Sequence, residues 1–198
     1  MMKRLFDIIV SLLGLILLSP LFLAVAVAIK RDSPGPVFFR QVRVGKDGRS
    51  FRIHKFRSMT VSKAHNSKEI TVSGDARITR SGAWIRHWKL DELPQLIDVF
   101  LGDMSVVGPR PEVPRYVAVY PEDLRRIVLS VRPGITDLAS IRFRHENDLL
   151  ARASDPERAY REQILPEKLR LQSEYVRTRS FVGDLGIVIA TFTALFKR

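Results

Sequence analysis

The sequence predicts an α+β protein, mostly helical, attached to a membrane through its N-terminal segment. Three observations carry this. An uncharged run extends from Ile8 to Ile29, two period-two stretches flank Gly45-Lys46-Asp47-Gly48, and helical periodicity runs through most of the chain after Ala83. A length of 198 residues suits one domain plus an anchor. With 33 Lys and Arg against 21 Asp and Glu, the net charge is +12, which favours an anionic partner: nucleic acid, acidic lipid or a phosphorylated substrate. No cysteine is present, so disulfides, thiolate metal sites and Cys nucleophiles are excluded. The four histidines lack the HxxxH spacing of a zinc helix.

Ile8 to Ile29 is 22 residues, about 33 Å as a straight helix, against a hydrocarbon core of about 30 Å. A transmembrane helix and a signal peptide both fit that bare description. The run is long for a signal peptide, and the basic, cysteine-free remainder gives no hint of export. Ser19-Pro20 interrupts the run. Proline removes the hydrogen bond to the Ile16 carbonyl, so the helix should bend there, and Ser19 can satisfy the freed carbonyl with its hydroxyl. Each half is then too short to cross alone. Both ends are basic, with Lys3 and Arg4 on one side and Lys30, Arg31, Arg40 and Arg43 on the other. Positive residues prefer the cytoplasmic side, which suits a segment that dips in and returns. On the residues alone, re-entrant and spanning arrangements stand level.

Ser33-Pro34-Gly35-Pro36 cannot continue a helix. Val37–Val44 and Ser50–Arg57 then alternate around a glycine-bounded turn and predict a small β-hairpin. The nine basic residues between Lys30 and Arg57 suit an anionic lipid surface, with a few, such as Lys55 and Arg57, facing a phosphate site. Residues 58–82 read as a loop with turn signals at Ser73-Gly74-Asp75 and Ser81-Gly82. Ala83–Lys89 reads as a short helix with Ile85 and Trp84 or Trp88 inward, or with tryptophan at a lipid interface. The next helix has Pro94 in its first turn, an apolar face of Leu93, Leu96, Ile97 and Phe100, and an end near Gly102. Val113–Ser130 is helical with a break at Pro121, and Arg132-Pro133-Gly134 is a tight turn. Glu157–Arg177 is a charged helical stretch interrupted at Pro166. Residues 181–198 form an amphipathic helix with Leu185, Val188, Ile189 and Phe192 on one face. It is too short to span, and fits either a membrane interface or the core.

The chemistry concentrates at Asp91-Glu92. Adjacent helical residues point about 100° apart, so the two carboxylates need separate roles if both act. At a helix start they are also ordinary capping residues. Their company argues for more. Arg110 sits between Pro109 and Pro111, a stiffened backbone suited to bidentate phosphate contact, and Arg86 lies one turn before Asp91. A carboxylate can attack phosphorus to give an acyl phosphate. Attacker and target are both anionic, so arginines and Mg2+ are expected to offset the repulsion, with Asp91 and Glu92 as candidate metal ligands. There is no Walker A, GxGxxG or DxD motif.

These residues resemble the bacterial sugar transferase family, the monotopic phosphoglycosyl transferases. The likeness runs through Lys3-Arg4-Leu5-Phe6-Asp7, Ser19-Pro20, Ser33–Gln41, Lys55-Phe56-Arg57-Ser58-Met59, Leu90–Leu96, Gly102–Pro111 and Arg132–Thr136. The resemblance implies transfer of a sugar-1-phosphate from a UDP-sugar to undecaprenyl phosphate, as the first membrane step of bacterial glycoconjugate synthesis. In that scheme Asp91 is the nucleophile that displaces UMP and carries a phosphosugar, and Glu92 supports it as acid–base or Mg2+ partner. Arg86, Arg110 and Lys55 contact phosphate, and Ser19-Pro20 is a re-entrant break. The implied layout is a re-entrant membrane helix over residues 1–31 and a catalytic domain over 32–198 on the cytoplasmic face of the inner membrane, touching anionic phospholipid. No nucleic acid partner is expected, and a homodimer is left open.

Three residues depart from the family pattern. Lys89 replaces a small polar residue, Asp137 a frequent glycine and Ser140 a frequent glutamine. The last two mark where sugar specificity is expected. Without the extra N-terminal spans of larger members, the chain resembles the minimal catalytic form. A competing reading is a membrane-tethered basic adaptor for acidic lipid or nucleic acid, which needs the charge but not Asp91.

Overall fold

In the computed structural model, which describes residues 2–60 and 74–196, the chain opens with two helices bent by 60° at one break: α1 (Met2–Leu17) and α2 (Ser19–Asp32). Among the described residues no single helix is long and apolar enough to cross a membrane; only the bent pair passes that test together. The break lies where Pro20 withholds an N–H, and the Ser19 hydroxyl donates to the Ile16 carbonyl at 2.8 Å, the repair the sequence predicts.

Both ends of the pair are fastened to the remainder of the protein. Lys3 donates to the Val107 carbonyl (2.9 Å) and pairs with Asp184. Arg4 donates to the carbonyls of Val99 (2.6 Å) and Phe100 (2.9 Å). Asp7 is buried and accepts from the Val106 N–H (3.0 Å) and the Ser105 hydroxyl (3.1 Å). Lys3 and Arg4 therefore serve the fold and are not simply membrane-flanking charges. At the far end, Asp32 accepts from the Ser81 N–H and hydroxyl, each at 2.7 Å. Arg57 corrects the expectation of a phosphate contact. It is buried and donates to the carbonyls of Ile29, Ser33 and Pro34, closing the end of α2.

The hairpin forms as predicted, β1 (Phe38–Val44) antiparallel to β2 (Ser50–Phe56) with Phe39 opposite Lys55. Phe38 and Phe56 stack at 5.6 Å and join Val25, Ile29 and Ile85 in one core cluster. Lys55, on the opposite face of the pleat, is left for the site. Most of the loop expected over 58–82 lies outside the described residues. Its end does not hold: Ser81-Gly82 is not a turn but the first turn of α3 (Arg80–His87), capped by the Thr79 hydroxyl on the Gly82 N–H at 3.0 Å. Gly82 is required by contact, since a Cβ there would lie 2.0 Å from the Ser58 carbonyl oxygen. Ile85 is fully buried, whereas Trp84 and Trp88 both face outward, each about half exposed.

A one-turn 3-10 helix, Leu90–Glu92, leads into α4 (Gln95–Leu101), which Gly102 ends in the left-handed region (φ 98°). Pro94 stands at the cap position rather than inside the first turn. The inward stripe of α4 is Gln95, Asp98 and Val99, with Leu96 packed over Gly14 of α1. Of the apolar face the periodicity marks, Phe100 is exposed. Asp98 earns its burial by accepting from the His54 N–H (2.8 Å) and meeting the His54 ring (Nδ1, 2.6 Å), which fixes α4 to β2.

The tight turn expected at Arg132-Pro133-Gly134 instead starts a strand. β3 (Ser105–Val107) runs parallel to β4 (Gly134–Thr136), with α5 (Pro114–Val117) and α6 (Glu122–Leu129) between them on either side of Pro121. Gly134 lies against Gly108 so closely that a Cβ would fall 2.1 Å from the Gly108 nitrogen. Then come α7 (Leu138–Arg142), α8 (Glu146–Ala151), α9 (Pro156–Ala159), a π-turn over Tyr160–Ile164, and α10 (Leu165–Thr178). The chain passes Pro166 without the predicted interruption: the Leu165 N–H donates to the Tyr160 carbonyl across the π-turn, and Pro166 follows in the first turn of α10, where its missing N–H costs little. The last helix, α11 (Phe181–Phe196), turns Asp184 and Ile187 inward, where Asp184 accepts from the Tyr175 hydroxyl at 2.7 Å. Ile189 and Phe192, two of the residues on its predicted apolar face, are exposed.

Candidate active site

The site begins with a backbone reversal. After α3, Lys89 adopts a left-handed conformation (φ 55°, ψ 22°) that swings the chain into the turn bearing Asp91 and Glu92. Non-glycine residues pay of order 1 kcal/mol or more to sit there, and such strain gathers at functional sites. The dyad thus lies on a 3-10 turn just before α4, not on the helix itself.

Its two carboxylates are treated in opposite ways. Glu92 is fully engaged: Oε2 accepts from Arg110 Nη1 at 3.0 Å, and Oε1 accepts from Arg110 Nη2 and from Lys55 Nζ at 2.9 Å. Asp91 is 8% exposed, and its Oδ1 is buried without a hydrogen-bond partner. Electrostatics follows. Burial pushes the Asp91 carboxyl up and the neighbouring Glu92 charge adds to this, outweighing Lys55, Arg86 and Lys89. Burial also disfavours the Glu92 charge, but Arg110 and Lys55 overcome it and hold that carboxyl well below the usual range. Burial draws the Lys55 ammonium down, with Glu92 opposing. Glu92 raises Arg110 above its ordinary value.

Arg110 is placed by its backbone. In Pro-Arg-Pro it owns the one N–H, which the buried carboxylate of Asp137 accepts at 3.1 Å. The Pro109 carbonyl accepts from Gly134 N at 2.9 Å, and the Pro111 carbonyl from Arg43 Nη1 at 3.0 Å. Asp137 also accepts from Gln172 Nε2 (2.9 Å) and from the Ser140 N–H (2.6 Å). It lies beneath the arginine and is 1% exposed, so it does not face the surface where a sugar-discriminating side chain was expected.

The predicted site residues come together: Lys55 and Arg110 converge on Glu92, beside Asp91. Arg86, in the last turn of α3, contributes a charge that favours ionised Asp91. Among the described residues no three His, Asp or Glu side chains gather into a metal cage. Mg2+ needs only one or two protein carboxylates. The open Oδ1 of Asp91 fits that demand, whereas both Glu92 oxygens are already occupied by cations. The sequence reading missed the tie through Asp137, because nothing local signals a contact between residues 110 and 137.

A family model described as bacterial sugar transferase matches residues 1–198. The chain is 41% identical over 192 residues to a UDP-glucose:undecaprenyl-phosphate glucose-1-phosphate transferase of Klebsiella pneumoniae, covering 96% of this chain and 39% of the relative. It is 45% identical over 141 residues to a UDP-N-acetylgalactosamine-undecaprenyl-phosphate N-acetylgalactosaminephosphotransferase of Aeromonas hydrophila, covering 70% and 33%. To the exopolysaccharide production protein PSS of Rhizobium leguminosarum bv. phaseoli it is 40% identical over 208 residues, covering 100% and 96%. The chain spans about two fifths or less of the first two relatives and nearly the whole of the third. A chain matched from end to end by that model, and 40% identical to a relative it covers almost completely, belongs to the bacterial sugar transferase family.

Proposed function

We propose that this chain transfers a sugar-1-phosphate from a UDP-sugar to undecaprenyl phosphate through a covalent aspartyl intermediate, at the cytoplasmic face of the membrane. The observation that carries this is the open, buried Oδ1 of Asp91 beside a Glu92 held ionised by Arg110 and Lys55. Asp91 attacks the sugar-bearing phosphorus, the new P–O bond forms, and the bond to UMP breaks with its electron pair leaving on UMP. The acceptor's phosphate oxygen then attacks the same phosphorus, and the Asp91 carboxylate leaves. Mg2+, when bound at Asp91, would supply positive charge to the donor's diphosphate. Glu92 keeps Lys55 and Arg110 in place, and those cations favour charge accumulating on the phosphoryl oxygens. The relatives' names point to glucose or N-acetylgalactosamine as the sugar.

A re-entrant topology is part of the proposal. The start of α1 is tied to Val107 and Asp184, and the end of α2 to Arg57 and Ser81. Both ends therefore belong to one body, which a bilayer-crossing segment would separate. Cysteines introduced at positions 3 and 31 should label from the same side; opposite-side labelling ends the re-entrant reading. The chemistry is tested by incubating the protein with UDP-glucose or UDP-N-acetylgalactosamine and Mg2+ but no acceptor. Mass spectrometry should find a phosphosugar on Asp91, with UMP released. An Asp91→Asn variant that still turned over would defeat the covalent aspartyl mechanism, whereas a wild type that released no UMP from either donor would favour the basic-adaptor reading.

A further inference from the structure

Asp137 follows the last residue of β4 and is the N-cap of α7. The two oxygens of its carboxylate do different things. Oδ1 accepts from the Ser140 N–H at 2.6 Å, the bond an N-cap makes. Oδ2 takes no part in that cap. It accepts from the Arg110 N–H at 3.1 Å and from Gln172 Nε2 at 2.9 Å. Capping α7 needs one oxygen, which a serine hydroxyl supplies as well. The second oxygen answers to the turn that carries Arg110. There the Gly108 N–H donates to the carbonyl of Thr136, where β4 ends, at 3.0 Å. The next N–H belongs to Arg110, since residue 109 is proline, and β4 offers it no further carbonyl once the chain enters α7. The Asp137 side chain takes that place, and Gln172, buried on α10, holds the same oxygen.

We infer that Asp137, backed by Gln172, is a positioning residue for the transfer: it fixes the Arg110 backbone so that the guanidinium meets Glu92 and the donor's phosphate. This rests on the proposed phosphosugar transfer and says how its arginine is aimed. Asp137 is 1% exposed, so it acts through Arg110 and not on substrate. An arginine side chain is long, and its tip is placed only as well as its backbone. Carbonyl bonds to Gly134 and Arg43 hold the prolines on either side, and Asp137 holds Arg110 itself. Its charge also favours the guanidinium, though less than that of Glu92 does. A displacement of about 1 Å at a reacting group can cost about 100-fold in rate.

The test separates aiming from capping. Asp137→Ser keeps a cap for α7 and loses the reach to Arg110, whereas Asp137→Ala loses both. The Arg110 amide is the only backbone N–H in Pro-Arg-Pro. Its hydrogen exchange, followed by NMR without ligand, should be faster in Asp137→Ser than in wild type by about 10-fold or more. In both variants kcat for UMP release from UDP-glucose or UDP-N-acetylgalactosamine, counted per site able to take up the phosphosugar, should fall about 10- to 100-fold. Asp137→Ser should nevertheless melt above Asp137→Ala. Were Asp137 only a helix cap, serine would restore kcat. Gln172→Leu leaves cap and carboxylate in place and should speed the same exchange, which decides the matter if neither Asp137 variant folds. Unchanged exchange at Arg110, or a kcat for Asp137→Ser within about 3-fold of wild type, overturns the assignment. If wild type forms no UMP from either donor, the transfer reading fails, and the exchange at Arg110 still judges whether Asp137 holds the turn.

Discussion

Replacing Asp91 by Asn should make this protein more stable as it becomes inactive. Ionised Asp91 is buried beside Glu92, with one oxygen unbonded. An unsatisfied buried polar group costs about 1–3 kcal/mol, and more if charged. Lys55, Arg86 and Lys89 offset part of this, but the carboxyl is still raised, so the cost wins. A net gain of about 1 kcal/mol on removing the charge corresponds to a melting midpoint higher by about 2–4 °C for a chain of this size. The pH dependence has a definite sign. A carboxyl raised in the native state is protonated in both states below its unfolded value of about 3.9, and there it costs nothing. The cost grows as pH rises from the unfolded value through the folded one, then stays constant. Melts of detergent-solubilised wild type and Asp91→Asn from about pH 3 to about pH 8 should therefore converge in acid and separate near neutrality. A variant that melts below wild type near neutrality, or a gain indifferent to pH, refutes this account of the site. UMP release should vanish in the same preparation while membrane association persists.

Glu92→Gln acts in reverse: it strips Arg110 and Lys55 of their shared partner and should cost about 3–5 kcal/mol, read in denaturant melts. Glu92 is depressed, so its contribution to stability is present above its unfolded value and lost as pH falls through its folded one; the gap between wild type and Glu92→Gln should close in acid. Gly134→Ala drives a Cβ into Gly108 backbone, which a flexible side chain cannot relieve; expression should fall, or the midpoint should drop by at least the amount typical of overpacking, about 1–3 kcal/mol. Arg57→Leu leaves carbonyls at the end of α2 without their donor, so hydrogen exchange around residues 29–34 should accelerate while the Asp91 adduct still forms.

Which parts of this were legible in advance depends on how far each cause reaches along the chain. The Ser19-Pro20 bend, the hairpin around Gly45–Gly48 and the helix end at Gly102 follow from groups within a few residues of one another. The acidic pair and Pro-Arg-Pro were equally plain as residue types. Helix faces were not. Periodicity marks the apolar side, but in a chain whose relatives act on a membrane lipid, an apolar side has two places to go. Phe100, Ile189 and Phe192 face out, while Asp98, Gln95 and Asp184 face in.

The amino-acid order by itself determined the local geometry and the chemical inventory, because missing N–H groups, left-handed glycines and alternating side chains act over a few bonds. Only the tertiary structure decided how equivalent charges divide their labour: Arg57 seals a helix end, Arg110 grips Glu92, and Asp91 is left open. Guanidinium groups are identical in sequence, and what each does is set by which carbonyls and carboxylates, tens of residues away, arrive within about 3 Å of it.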